Sequence, residues 1–226
     1  MDNKVKCSGF TLAEVMITLV IVGVVTAIAI MVLINNQKDA ELKSRFRKTF
    51  SVMSQSINKT NMIDFSGSAS CYYPVNNDKQ QDGDTARQDC IEFFKTFAKN
   101  MNVIKTCDRN AKEEGCVPDY HSYLSVSGCY YFTQESINNR DVVYVLADGQ
   151  IIILYGNYNT QPYPLFAIDI NGKKGPNKGG YDLFTFKIHK RNSDGTLYLS
   201  PDGCSHVEAG GRSATAMMLH TFVGKE

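Results

Sequence analysis

Hydrophobic and polar positions divide this chain into three parts. From Phe10 to Ile34 there are 25 residues with a single charge, Glu14, so a helix here would be apolar on every side and about 37 Å long at ~1.5 Å per residue, enough to span a bilayer. The chain then turns polar at Asn35-Asn36-Gln37-Lys38-Asp39, after which Leu42, Phe46, Phe50, Met53 and Ile57 recur at spacings of four, four, three and four. That is one apolar stripe on a helix. No proline occurs before Pro74, and the two patterns together predict one helix from about Phe10 to about Asn61.

The remainder reads as a mixed domain. Residues from Asp64 to about Thr85 are rich in Ser, Gly, Asn, Asp and Gln and predict an irregular connection. A second helix is expected from about Ala86 to Val103, capped by Thr85, with Ile91, Phe94, Phe97, Met101 and Ile104 on one face. Cys107 to about Tyr123 reads as loop. Strands are expected at Cys129 to Thr133, Val142 to Ala147, Gln150 to Tyr155, Pro164 to Ile170, Leu183 to His189 and Thr196 to Leu199, with Asp148-Gly149 as a two-residue hairpin turn. An antiparallel sheet laid on the second half of the long helix would bury both apolar faces, giving an α+β head on a helical stalk. The tail from Ala214 to Phe222 is a short apolar segment to which the sequence assigns no function.

Three ordinary explanations of the apolar run fail in part. A secretory signal peptide has a core of roughly 7–15 residues before a small-residue cleavage site, and although Ala27-Ile28-Ala29 fits such a site, the run continues to Ile34. A plain anchor does not explain Glu14, since a carboxylate at a bilayer centre costs about 2.5–3.5 kcal/mol and tends to mark function. A buried core helix is rarely this uniformly apolar.

Gly9-Phe10-Thr11-Leu12-Ala13-Glu14, preceded by a short leader carrying Lys4 and Lys6, resembles the processing motif of the type IV pilin and pseudopilin superfamily. The resemblance covers about residues 4–34. It implies that a prepilin peptidase cuts between Gly9 and Phe10 and methylates the new amino terminus, making Glu14 the fifth residue of the mature chain. It also implies a pilin-like head on a helical stalk. In a fibre of packed apolar helices, the Glu14 carboxylate would pair with the terminal amine of a neighbouring subunit and set the register. Burying that pair is tolerable, whereas either charge alone in an apolar bundle is expensive.

The expected organisation is therefore a leader over 1–9, a transmembrane and assembly half over 10–34, an amphipathic half over 35–63, and a globular head over 64–226. The leader lysines favour the cytoplasmic side, placing a single-pass chain in the inner membrane with its head outside the cytoplasm before it enters a fibre. Implied partners are the membrane, further pilins or pseudopilins, the prepilin peptidase and the inner-membrane assembly platform. Lys43, Arg45, Arg47 and Lys48 read better as a solvated helix face than as headgroup contacts.

Formal charge is +1, and removal of Asp2, Lys4 and Lys6 with the leader leaves 22 basic and 22 acidic residues. This balance gives no reason to expect nucleic acid as a partner. Of seven cysteines, Cys7 lies in the leader. The other six suit up to three disulfides in an oxidising compartment. Sequence leaves 15 connectivities open; Cys107 with Cys116, Cys71 with Cys90 and Cys129 with Cys204 are the preferred pairs. With no Cys-x-x-Cys, zinc is not expected.

The stretch from Asp169 to Asp182 contains the most suggestive side chains in the head. Asp169, Asn171 and Asp182 offer oxygen ligands, and the intervening glycines permit tight turns of the kind calcium loops use. The resemblance makes calcium relevant, because some pseudopilins bind it in a C-terminal loop. Against it, the spacing departs from Asp-x-Asp-x-Asp-Gly, and Lys173, Lys174 and Lys178 would repel a divalent ion. The competing reading is an ion-free Asn/Gly/Pro connection, so no cofactor is required.

No catalytic residues are expected. His121, His189, His206 and His220 are scattered, and Gly-x-Ser-x-Gly, His-Glu-x-x-His and phosphate-cradling motifs are absent. The chain thus reads as a structural subunit of a type IV pilus or a type II secretion pseudopilus. The alternatives are a minor tip pilin or adhesin that binds a substrate or host surface and, further off, a membrane-tethered extracytoplasmic enzyme.

Overall fold

A computed structural model of the chain describes residues 9, 11–63, 93–108, 110–120, 137, 142–155, 165–191, 196–201 and 207–222. Helix α1 runs Leu12–Ile63, close to the span its hydrophobic pattern predicts. The chain divides into two compact units, residues 1–41 and 42–226.

In the first unit α1 has apolar side chains all round, and its large residues are exposed, from Val15 at 43% to Leu12 at 80%. Two hydroxyls in the apolar run are satisfied within the helix: those of Thr18 and Thr26 donate to the carbonyls of Val15 (2.9 Å) and Val22 (2.6 Å). Internal satisfaction is what a bilayer demands, since hydrocarbon offers no partner to a backbone or hydroxyl group. The helix is long and apolar enough to cross a membrane.

In the second unit the predicted stripe is buried, with Phe46, Met53 and Ile57 fully enclosed and Leu42 and Phe50 partly so. Thr49, Ser56 and Thr60 are buried beside them. Thr49 and Thr60 donate to the carbonyls of Arg45 and Ser56, both at 2.8 Å. Those bonds remove the cost of placing hydroxyls in a core.

A second helix, α2, covers 93–99. It ends earlier than the aromatic stripe predicts: the Asn100 and Met101 amides donate to the carbonyls of Phe97 and Ala98, closing the last turn. The Asn100 side chain donates to the Thr60 hydroxyl at 3.2 Å, fastening α2 to α1. Val103 and Ile104, both β-branched, begin a strand instead. Ile104 lies at a bulge and is 68% exposed, so it does not share the buried face of Phe94, Phe97 and Met101. The predicted start of this helix at Ala86 and the Cys129–Thr133 strand lie outside the described residues.

Six strands form one antiparallel meander in the order β1 to β6: Val103–Asp108, Val142–Leu146, Ile151–Tyr155, Leu165–Asp169, Leu183–Lys190 and Leu197–Pro201. The β2–β3 connection has three residues rather than two. Gly149 at φ 87° donates to the Leu146 carbonyl, and Leu146 pairs with Gln150. A left-handed glycine in the third loop position is the usual way such a hairpin keeps its twist. Helix α3, Ala214–Phe222, starts with the Ser213 hydroxyl accepting the Ala216 amide at 3.1 Å, an N-cap.

One sheet face, carrying Tyr144, Ile152, Leu154, Phe166, Ile168, Phe184 and Phe186, packs with the α1 stripe, α2 and the buried start of α3. Phe46 meets Phe184 edge-on at 4.8 Å, and Phe166 stacks on Phe186 at 5.9 Å. The opposite face is also covered: Cys107, Val143, Ile151, Ile153, Ala167 and Leu183 pack under Ala111, Cys116, Val117 and Tyr120. Double-sided burial explains why Val142–Leu146 and Ile151–Tyr155 read as continuous apolar runs without alternation. Cys107 and Cys116 form a disulfide that closes this cover. Cys71, Cys90, Cys129 and Cys204 lie outside the described residues.

Candidate functional site

Two places carry the side chains singled out in the sequence. At the amino end, Gly9 is exposed with open space around it, while Phe10 lies outside the described residues. Glu14 turns back toward the helix start. Its Oε2 accepts the Thr11 amide and the Thr11 hydroxyl, each at 2.8 Å, and the Glu14 amide donates to the Thr11 hydroxyl oxygen at 3.3 Å. Thr11-Leu12-Ala13-Glu14 is thus a capping box, in which residues three apart satisfy each other's orphan groups. The Thr-x-x-Glu spacing announces it.

In the second unit, Asp169 and Asp182 bracket a loop that contains a short 3-10 turn, Gly172–Lys174, and a cis Gly175–Pro176 bond. The structure brings Asp169, Asn171 and Asp182 together, and adds Asn177. Asp169 Oδ1 accepts the amides of Asn171 (3.1 Å) and Gly172 (2.7 Å). Asp182 accepts the amides of Asn177 and Lys178, one on each oxygen, both at 2.7 Å. Both aspartates are fully buried.

The electrostatics of this loop are unusual for a plain connection. Burial pushes the Asp169 carboxyl well above its ordinary range, and the charge of Asp182 adds to the rise; the Asn171 and Gly172 amides and the Tyr120 hydroxyl oppose it. Burial raises Asp182 too, against the amides of Lys178 and Asn177. Asp169 Oδ2, Asn171 Oδ1 and Asn177 Oδ1 are all buried, with no hydrogen-bond partner assigned among the described residues. Buried polar atoms are normally paired; these three oxygens lie within nine residues of chain, and the Tyr120 hydroxyl reaches the Asp169 carboxyl beside them. The set contains only oxygens, the donors hard cations take.

Lys173 is less hostile than its spacing suggests. The Lys173 ammonium donates to the Gly115 carbonyl in the cover over the second sheet face. Asn177 is held at φ 55°, and its place beside Asp182, to which its amide donates, follows from the loop closing on itself, which no linear spacing reveals. Residues 207–212 hold the loop from outside: Glu208 and Arg212 amides donate to the Gly179 and Gly180 carbonyls at 2.9 and 2.7 Å, and the Tyr181 hydroxyl donates to the Ala209 carbonyl at 2.8 Å.

Cys107, Glu114 and Cys116 also approach one another. They make no metal centre here, because both sulfurs are consumed in the disulfide and offer no thiolate.

Residues 4–30 match the prokaryotic N-terminal methylation motif. No curated protein and no solved structure matches the chain.

Proposed function

We propose that this chain, which carries the prepilin-type signal of the type IV pilin and pseudopilin family, is a structural subunit of a type IV pilus or a type II secretion pseudopilus. The observation that carries the reading is the methylation motif over residues 4–30, which runs into a helix whose large apolar side chains from Leu12 to Ile34 are all exposed. A side-chain shell of that kind needs hydrocarbon or other helices around it.

In this reading the chain waits in the inner membrane and a prepilin peptidase cuts between Gly9 and Phe10. The first half of α1 then exchanges lipid for the corresponding helices of other subunits. Glu14 pairs with the cationic amine of a neighbour, so that a mis-registered subunit leaves a charge unpaired in an apolar bundle. The sheet domain, closed by the Cys107–Cys116 disulfide, forms the exposed surface. Force for extension comes from partner proteins of the assembly platform.

The loop between Asp169 and Asp182 fits calcium. Asp169 Oδ2, Asn171 Oδ1 and Asn177 Oδ1 are its candidate ligands, with Asp182 supplying the second buried negative charge. The ion would neutralise two buried carboxylates and fix the loop, a structural rather than catalytic service.

Substituting Glu14→Ala in the native host tests the assembly role. The variant should be cut and stay in the membrane while disappearing from sheared fibres. Its recovery in fibres at the unsubstituted level would refute the pairing.

A further inference from the structure

We infer that the Cys107–Cys116 disulfide and the Asp169–Asp182 loop form one redox-sensitive linkage: the loop is held closed only while the disulfide is made, and an ion in the loop shields the disulfide from reduction. The linkage takes its ion from the calcium reading above, whereas the hold of the disulfide on the loop is independent of it.

An unbroken chain of bonds joins the two places. Asp169 Oδ1 accepts the Gly172 amide at 2.7 Å. The next residue, Lys173, donates its ammonium to the Gly115 carbonyl, and the residue after Gly115 is Cys116, bonded to Cys107 on β1. A second tie runs beside this one, where the buried Tyr120 reaches the Asp169 carboxyl with its hydroxyl. Both ends are anchored. Gly172 is seated on the Gly149 carbonyl with no room for a Cβ, and Cys107 pairs with Val143 inside the sheet.

The segment between those anchors is what the disulfide holds. Residues 110–120 form turns, with neither strand nor helix, and the amides of Glu114, Gly115, Cys116 and Val117 donate back to Asn110, Lys112 and Ala111. A segment closed on itself takes its place from its outward ties. Lys105 of β1 also holds the Glu114 carbonyl, but from an exposed position where water competes. Once the disulfide is cut, Lys173 is bonded to a carbonyl that is no longer fixed, and the Gly172–Lys174 turn and Asp169 lose their outer support.

The reverse effect follows from burial. Both sulfurs are fully buried, so a reductant reaches them after the cover opens, and opening breaks the Lys173 and Tyr120 ties. An ion bound to the closed loop makes that opening rarer by the factor by which the closed cover tightens its binding. The reduction is ordinary exchange: a dithiol's thiolate attacks one sulfur, the Cys107–Cys116 bond breaks, and the dithiol departs as its own disulfide, leaving two thiols. A head that leaves the cytoplasm with free thiols therefore closes this loop after it is oxidised outside.

The test uses the full chain purified in detergent. Hydrogen exchange in chelator compares it with the Cys107→Ser/Cys116→Ser variant, whose protection over 169–182 should fall about tenfold more than over β6 at 197–201. In the unsubstituted chain, calcium should slow reduction of Cys107–Cys116 by dithiothreitol about tenfold relative to chelator, read by alkylation and peptide mass. Lys173→Met, which keeps the stem without the donor and leaves the disulfide in place, should lose most of that slowing at saturating calcium. Equal loss of protection over the loop and β6 would overturn the inference, as would calcium that binds without slowing reduction, or a Lys173→Met chain as well shielded as the unsubstituted one. If calorimetry shows no calcium binding while loop exchange still responds to the disulfide, the hold of the disulfide on the loop stands and the calcium reading fails instead.

Discussion

Gly172 sits directly against the backbone of Gly149: a Cβ built on Gly172 would stand 1.9 Å from the Gly149 carbonyl oxygen. The β2–β3 turn and the Asp169–Asp182 loop are thus seated on each other with no room for a side chain. Gly172 also has φ 63°, a conformation that L side chains rarely adopt. Gly172→Ala should therefore cost stability twice, through strain and through forced separation of the two segments, at about 2–4 kcal/mol. Thermal unfolding of the purified protein in detergent checks this. Gly9→Ala and Gly23→Ala, where nothing lies within 4 Å, should leave the same unfolding transition unmoved.

Asp169 and Asp182 make stability depend on pH in a definite direction. Both carboxyls are raised in the folded state by burial, and Asp169 further by Asp182. A raised carboxyl binds more protons when folded than when unfolded, so its contribution to stability is lost as pH climbs from the ordinary carboxylate range through the folded value. With chelator present, the melting temperature of the protein should fall across that window. Calcium should flatten the fall, because a bound cation favours the ionised pair. A chelated profile that is flat, or that rises over the same window, contradicts the assignment.

Asp169→Asn separates the two parts of that argument. It removes one buried charge and keeps an oxygen near the same place, so without metal at neutral pH the variant should melt at or above the unsubstituted protein. The calcium-induced rise in melting temperature should disappear. Calorimetric titration of the same pair of proteins with calcium measures the loss of binding directly.

The disulfide between Cys107 and Cys116 spans a sequence separation of 9. Loop-closure entropy for a ring of that size amounts to about 2.5 kcal/mol. Replacing both cysteines with serine should lower stability by roughly that amount, and protection against hydrogen exchange should fall first over 107–120. Core truncation gives a larger loss: Phe46→Ala empties the contacts with Phe50, Phe184 and Phe186 and should cost about 3–5 kcal/mol.

Periodicity over α1 revealed both its length and its change of character, because a stripe from Leu42 to Ile57 follows from local spacing alone. The sheet was legible where apolar runs were bounded by turn residues, as at Asp148-Gly149 and around β4 and β5. β1 was not, since Val103 to Asp108 alternates weakly and continues an aromatic stripe that favours helix; only its pairing with β2 makes it a strand. The cover formed by Ala111, Cys116, Val117 and Tyr120 was likewise hidden, because a segment without regular structure carries no period. In the candidate sites, Asp169, Asn171 and Asp182 could be picked out by side-chain chemistry, whereas Asn177 required the fold of the loop. Thr11 is legible from its Thr-x-x-Glu spacing with Glu14, the local pattern of a capping box.

Everything proposed about assembly depends on whether the chain is cut where Gly9 meets Phe10. Mass spectrometry of the amino-terminal peptide, taken from protein in its own membranes, reads this in one step. The account predicts a peptide beginning with N-methylated Phe10. A chain that keeps residues 1–9, or one that begins after Ala29, would contradict it and leave an anchored or exported protein whose sheet domain needs another explanation.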